Sequence, residues 1–283
     1  DLFAVLVECA GGNAESGFGL VADISPGMGF SLPGPFVVLG GRLIFGATGP
    51  DGNELYASDG TGTGTQLLRN IAAEPSGFPG PGLSPNHSSP QWLTLIRDDA
   101  AIFTAVDAEH GRELWITDGT AGGTRLLKEI VPGPAGTTAD WFISARGRGY
   151  FAASHPDFGK ELWRTDGTTA GTLLAADIVP GTAGSEPRNL VASVPFGRLY
   201  FSATHPEVGR ELWAIHIPTQ IPADLDCNGV VSVGDIAPFV LALTNAAQYA
   251  VDFPNCDIMQ ADIDGNGVVS VVDIGPFVAL LTQ

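Results

Sequence analysis

The stretch RELWITDGTAGGTRLLKEI, Arg112 to Ile130, recurs as NELYASDGTGTGTQLLRNI from Asn53 and as KELWRTDGTTAGTLLAADI from Lys160, with a shortened copy, RELWAIHIP, from Arg210. The shared glutamates are Glu54, Glu113, Glu161 and Glu211, at intervals of 59, 48 and 50 residues. A self-similar period of that length marks a repeat architecture. Within one period, short apolar runs alternate with Gly, Pro, Asp and Thr clusters, which reads as strands joined by turns. The third copy predicts four of them, beginning near Trp141, Gly149, Glu161 and Thr172. Four antiparallel strands per unit, repeated radially, predict a mainly β fold with a β-propeller-like repeat body.

Three units are complete, with a leading fragment at residues 1 to 39 and a trailing one at 196 to 218. DLFAVLV, from Asp1, is a weak echo of the repeat at the start of the chain. Joining the two fragments would make about four blades and hide the open edges; a piece of a larger propeller is the alternative. Residues 1–218 therefore form the predicted repeat domain. Residues 219–283 form a linker, around HIPTQIPAD, and a separate tail.

Inside the repeat, Asp59, Asp118 and Asp166 precede Gly-Thr and read as turn-capping carboxylates, with a weak calcium or sugar contact as the rival reading. The periodic aromatics Tyr56, Trp115, Trp163 and Trp213, and Phe45, Phe103, Phe151 and Phe201, read as core between units. His155 and His205 fall in matching turns, and the pairs Arg112-Glu113, Lys160-Glu161 and Arg210-Glu211 read as structural. Trp92 and Trp141 stand outside this pattern at the starts of neighbouring strands. They are the candidates for stacking on a sugar ring, against half-buried packing. No zinc spacing, phosphate loop or nucleophile motif is present, and nothing pairs the unmatched acids Glu74, Asp98, Asp99, Asp140 and Glu186 as an acid/base couple.

The tail carries one spelling twice, DLDCNGVVSVGDI from Asp224 and DIDGNGVVSVVDI from Asp262. Side-chain oxygens at loop positions one, three, five, nine and twelve, with glycine at six, match an EF-hand type loop. The predicted calcium ligands are Asp224, Asp226, Asn228, the Val230 carbonyl, Ser232 and Asp235. In the second copy they are Asp262, Asp264, Asn266, the Val268 carbonyl, Ser270 and Asp273. Gly229 and Gly267 supply the sharp turn. Each loop enters an apolar helix with proline in its first turn, and Phe239, Val240, Leu243, Phe277, Val278 and Leu281 are its expected packing face. Carboxylates crowded in an empty loop repel, so two Ca2+ ions should order the tail as well as occupy it. Three cysteines allow one internal disulfide; Cys227 with Cys256 would close the tail and leave Cys9 as the odd thiol.

Thirteen basic residues against thirty-one acidic ones leave a net charge of −18, and from Asp224 onward there are eight aspartates and no Lys, Arg or Glu. Such a chain repels nucleic acid and anionic membranes. No apolar run is long enough to span a bilayer. A start at Asp1 reads as a processed or excised chain, and calcium loops fit an extracellular setting.

The body resembles the ELWxxDGTxxGT repeat proteins of bacterial surfaces, described as hyalin-like, over most of residues 40 to 215. The tail, from Ala223 to Gln283, resembles the dockerin type I domain of bacterial secreted proteins. The first resemblance implies an extracellular repeat domain with no known catalytic mechanism. The second implies a small α-helical EF-hand-like domain with two calcium sites that docks on a cohesin-like scaffold or surface protein. Val233, Gly234, Val271 and Val272 replace the hydroxyl pairs that usually contact cohesin. The expected function is a secreted or cell-surface binding or adhesion protein, more a non-enzyme than an enzyme, with polysaccharide as a possible ligand. The alternatives are a polysaccharide-degrading glycoside hydrolase or accessory subunit tethered by the tail, and a purely architectural repeat protein.

Overall fold

Each repeat folds as a simple antiparallel meander because its apolar runs are too short for helices and its turns carry the glycines that reverse the chain. The computed structural model describes residues 2–5, 18–27, 29–72, 87–193, 197–217, 223–227, 231–253, 256, 258–264 and 268–282. Cys9, Glu74, Asn228, Gly229, Val230, Asn266 and Gly267, and most of the linker, lie outside the described residues.

A two-stranded sheet joins β1 (Leu2–Val5) and β2 (Phe18–Ala22). The first four-stranded sheet holds β3 (Phe36–Leu39), β4 (Arg42–Gly49), β5 (Gly52–Ser58) and β6 (Gln66–Arg69). The second holds β7 (Gln91–Arg97), β8 (Ala100–Asp107), β9 (Gly111–Thr117) and β10 (Arg125–Lys128). The third holds β11 (Ala139–Ala145), β12 (Arg148–His155), β13 (Gly159–Thr165) and β14 (Leu173–Ala176). A three-stranded sheet comes last, of β15 (Arg188–Ser193), β16 (Arg198–His205) and β17 (Gly209–His216). The fold is thus mainly β and antiparallel, ending in short helices.

Neighbouring sheets pack face to face through the periodic residues. Leu55, Ala57 and Leu68 of the first sheet meet Ala101, Phe103 and Trp115 of the second; Ile102, Leu114, Ile116 and Leu127 of the second meet Phe151, Ala153 and Trp163 of the third. The first strands β3, β7 and β11 lie beside one another, at one side of the array.

The ends of the body differ from the sequence expectation. Among the described residues the leading and trailing fragments do not merge: β1 and β2 form their own pair, while β15 to β17 form another sheet. The register explains it. Leu2 faces Ala22 and Phe3 faces Leu20, with an irregularity between them, as Leu162 faces Ala176 and Trp163 faces Leu174 across β13 and β14. The β1–β2 pair is therefore the third and fourth strand of a repeat, and β1 already takes the ladder of β2.

By contact density the chain divides into two units, one of residues 1–192 with 200–214 and one of residues 193–199 with 215–283. In the second, α1 (Ile236–Thr244), α2 (Ala246–Asp252) and α3 (Ile274–Leu281) surround a core of Ala223, Leu225, Phe239, Ala242, Tyr249, Ala261 and Phe277. The Phe239 and Phe277 rings stack at 4.1 Å, and Leu243 and Leu281 pack on that core. Val240 and Val278 instead remain half exposed, because each lies one residue, about 100° of helix turn, beyond its buried phenylalanine. Cys227 and Cys256 are joined by a disulfide across this unit, with Cα atoms 5.7 Å apart. Among the described residues no helix is long and apolar enough to cross a membrane.

Candidate functional site

The repeat motif is consumed by structure. Asp59, Asp118 and Asp166 each accept the backbone N–H and the hydroxyl of the threonine two residues on, at 2.7–2.9 Å. The threonine hydroxyl holds the carboxyls of Asp59 and Asp118 below the usual carboxylate range. The second glycine of the motif is required because a Cβ on Gly64, Gly123 or Gly171 would stand about 2 Å from the same carboxylate. The neighbouring hydroxyls Ser58–Thr65, Thr117–Thr124 and Thr165–Thr172 close each turn at 2.7 Å.

The motif glutamate is a buried clamp. Glu54 accepts the N–H groups of Ile71, Ala72 and Ser88 and the Ser88 hydroxyl; Glu161 accepts those of Ile178 and Val179 and the Ser185 hydroxyl. Glu113 accepts Ile130 and Val131 N–H at 2.8 Å, while the hydroxyl of Thr137 donates to the Ser154 carbonyl. Each carboxylate ties the third strand to the turn after the fourth, and Ser88 and Ser185 extend the tie to the next sheet. Burial pushes all three carboxyls up, that of Glu113 to about 7. The adjacent bases do not pair with these acids. Arg112 donates to the Ser89 carbonyl, Arg210 to the Glu186 carbonyl, and Lys160 meets Asp140 at 2.7 Å.

Among the described residues, two groups of sequence-predicted site residues are brought together. In the tail, Asp224, Asp226 and Asp235 bring ligand oxygens within 4.8 Å of one another, and Asp262, Asp264 and Asp273 do the same. Oδ1 of Asp235 accepts the N–H of Leu225 and Asp226, and Oδ2 that of Ser232; Asp273 repeats this with Ile263, Asp264 and Ser270. Desolvation raises the Asp273 carboxyl, but the three N–H donors outweigh it and hold the group below its ordinary range. Ser232 and Ser270 accept the N–H of Gly234 and Val272, capping one turn of 3-10 helix that leads into α1 or α3. The loop ends are thus folded back on their starts by backbone bonds, which aim three hard oxygen donors at one point, the donor chemistry calcium takes.

In the body, Trp92 and Trp141 both adopt a left-handed backbone, φ 58°, as does Asn189, φ 56°, at the corresponding place in β15. A bulged tryptophan at positive φ is a rare conformation. The β-bulges lie between Gln91 and Thr94 and between Asp140 and Ile143, each placing an extra residue opposite Phe103 or Phe151. The Trp92 and Trp141 rings stand 6.3 Å apart, and Trp92 also stacks on Phe142. Sequence reasoning found the tryptophans but missed Asn189, whose residue type is among the few that tolerate this backbone. It also missed a cavity of about 420 Å³ beside β2, lined by Leu20, Ile24, Pro50, Tyr56 and Thr65 among others.

No family model and no curated protein matches the chain. Among solved structures it is similar to a puromycin hydrolase mutant at 17% identity and TM-score 0.41, covering 66% of this chain and 27% of that one. It is also similar to an α-L-arabinofuranosidase from Podospora anserina in complex with cellotriose (11%, TM-score 0.31, 69% and 67% covered). A third is an endo-1,4-β-xylanase from Bacteroides thetaiotaomicron (14%, TM-score 0.29, 70% and 76% covered). This chain spans about a quarter of the puromycin hydrolase. None of these scores is high enough to carry an argument about activity.

Proposed function

We propose that this is a secreted or cell-surface binding protein of the kind its repeats resemble, with a propeller-like body of about four blades that binds or displays. Its dockerin-like tail holds two calcium ions and anchors it to a protein partner. The observation that carries the reading is the pair of carboxylate triads, Asp224/Asp226/Asp235 and Asp262/Asp264/Asp273, built with the same backbone bonds in both copies. Two independent loops with one donor set are hard to explain as surface turns. Calcium would neutralise the mutual repulsion of each triad and complete the oxygen shell with the ligands the sequence places between them.

Anchoring is supported by apolar side chains that a free tail has no reason to show. Val233, Val271 and Val272 are strongly exposed, and Ile236 and Ile274 nearly half so, at the start of each helix. They favour a partner that meets the tail through an apolar face rather than through hydroxyl contacts. The body's repeat acids are bonded into turns and clamps, which supports a non-catalytic role.

Isothermal titration of the full chain with CaCl2 tests the metal reading: two sites are expected, with Asp224→Ala and Asp262→Ala each removing one. Differential calorimetry should show the tail transition rising with calcium while the tryptophan signal of the body, which holds all five tryptophans, stays put. A native titration with no heat, or full binding in both variants, would overturn it.

A further inference from the structure

We infer that the bulged ends of β7 and β11 form a binding site for a neutral pyranoside, an inference that rests on reading the body as a binding module. Three observations converge there. First, the structure maintains an unfavourable backbone at Trp92 and Trp141 in two successive sheets and repeats it at Asn189 in a third. The first four-stranded sheet takes the extra residue as well, since the Gly34 N–H bonds the Gly46 carbonyl while Phe36 faces Phe45, but the residue there is Pro35 and not a tryptophan. The bulge belongs to the repeat, and what differs between sheets is the side chain it presents: proline in the first, tryptophan in the next two and asparagine in the last.

Second, the indoles are only partly used by packing. Trp92 is 38% exposed, with one side on Phe142 and the other ring of the pair close by, while Phe142 continues the stack onto the core ring of Phe151 at 4.8 Å. Trp92 thus sits on a rigid aromatic column. Such a platform suits the apolar C–H face of a sugar ring, because it offers flat area without ordering a flexible side chain.

Third, the carboxylate that precedes Trp141 in β11 is incompletely satisfied. Oδ2 of Asp140 meets Lys160 at 2.7 Å, while Oδ1 is buried and has no hydrogen-bond partner, in a side chain that is 31% exposed as a whole. A carboxylate with one unmatched oxygen and part of its surface exposed gains a bond if it turns that oxygen to a ligand hydroxyl. A sugar supplies both halves, C–H groups for the indole and O–H groups for Asp140. The net charge of −18 and the neutralised Lys160 select against sulfated or uronic acid chains, so the ligand is uncharged.

The test is tryptophan fluorescence and calorimetric titration of the full chain with neutral gluco-, xylo- and manno-hexaoses, with polygalacturonate as the anionic control. One or more neutral hexaoses should bind and the control should not. Trp92→Ala and Trp141→Ala should each weaken binding by about tenfold or more, and Asp140→Asn by about fivefold. Trp92→Phe should retain most of it, and unchanged thermal transitions show that the variants fold. Binding that survives all of these substitutions would place the sugar elsewhere and sink this site while leaving the body a binding module. If none of the three hexaoses binds, or only polygalacturonate does, the pyranoside inference falls; if the immobilised full chain also captures nothing from a broad glycan array, the binding-module reading falls with it.

Discussion

The three complete sheets and the last one carry the same Glu-Leu-aromatic triplet in opposite environments. Glu54, Glu113 and Glu161 and the leucines beside them, Leu55, Leu114 and Leu162, have no exposed surface. Glu211 is exposed, and Leu212 is 75% exposed. The triplet itself is unchanged; the difference lies in the strand that comes next. After β5, β9 and β13 there is a fourth strand, and the turn beyond it donates two backbone N–H groups to the glutamate, whereas among the described residues β17 pairs only with β16. The lesson is that the motif does not bury itself; it is a latch that closes when a fourth strand is present.

The largest expected break in this comparison is Glu161→Ala, which leaves two N–H groups and the Ser185 hydroxyl without their acceptor. It should lower body stability by about 4 kcal/mol in a urea titration monitored by tryptophan fluorescence, against less than about 0.5 kcal/mol for Glu211→Ala. Equal losses would mean that the latch carries no stability. Next, Leu114→Ala should lose about 3 kcal/mol and Leu212→Ala almost nothing, since only the first opens a cavity. A large loss at Leu212 would show that the face of the last sheet is covered in solution.

The third test separates Glu113 from its two counterparts, which receive a serine hydroxyl. Its carboxyl is raised from 4.5 to about 7 in the folded state, so the fold holds a proton that the unfolded chain releases. Its contribution is fully present below about pH 4.5 and is lost as pH rises through 7, a fall of about 2 to 3 kcal/mol. Urea midpoints between pH 4.5 and 8 should show that fall, and Glu113→Gln should flatten it; an unaltered slope in the variant would assign the dependence to other groups. The smallest effect is Ser185→Ala, about 1 kcal/mol and a further rise of the Glu161 pKa, read from the same pH series. A slope in that series indistinguishable from the native one would show that the hydroxyl does not tune the clamp.

Much of this was legible in the sequence. Short apolar runs set between Gly, Pro, Asp and Thr clusters placed the four strands of the third repeat within a few residues of where they lie. The Asp spacing of the tail named the six carboxylates that converge. The latch was not legible, because its donors are main-chain N–H groups seventeen and eighteen residues downstream and leave no mark on side-chain type. The half-repeat at the start does leave a mark, since GLVADISPG from Gly19 parallels LLAADIVPG from Leu173, yet a pattern of single residues does not say which strand it will pair with. Positive φ at Trp92 and Trp141 is equally silent, because it is imposed by the bulge and not by the residue.

The disulfide makes the two acidic loops of the tail, the proposed calcium sites, unequal in a way their matching spelling hides. Cys227 belongs to the first loop and Cys256 to the segment between the copies, 29 residues apart, while the second loop has no such tether. The first loop starts with less chain freedom to surrender when an ion arrives, so the two sites should fill in order, the tethered one at the lower calcium level. Under reducing conditions that order should collapse toward simultaneous filling, which would make the occupancy of the tail a record of the redox history of its surroundings as well as of their calcium.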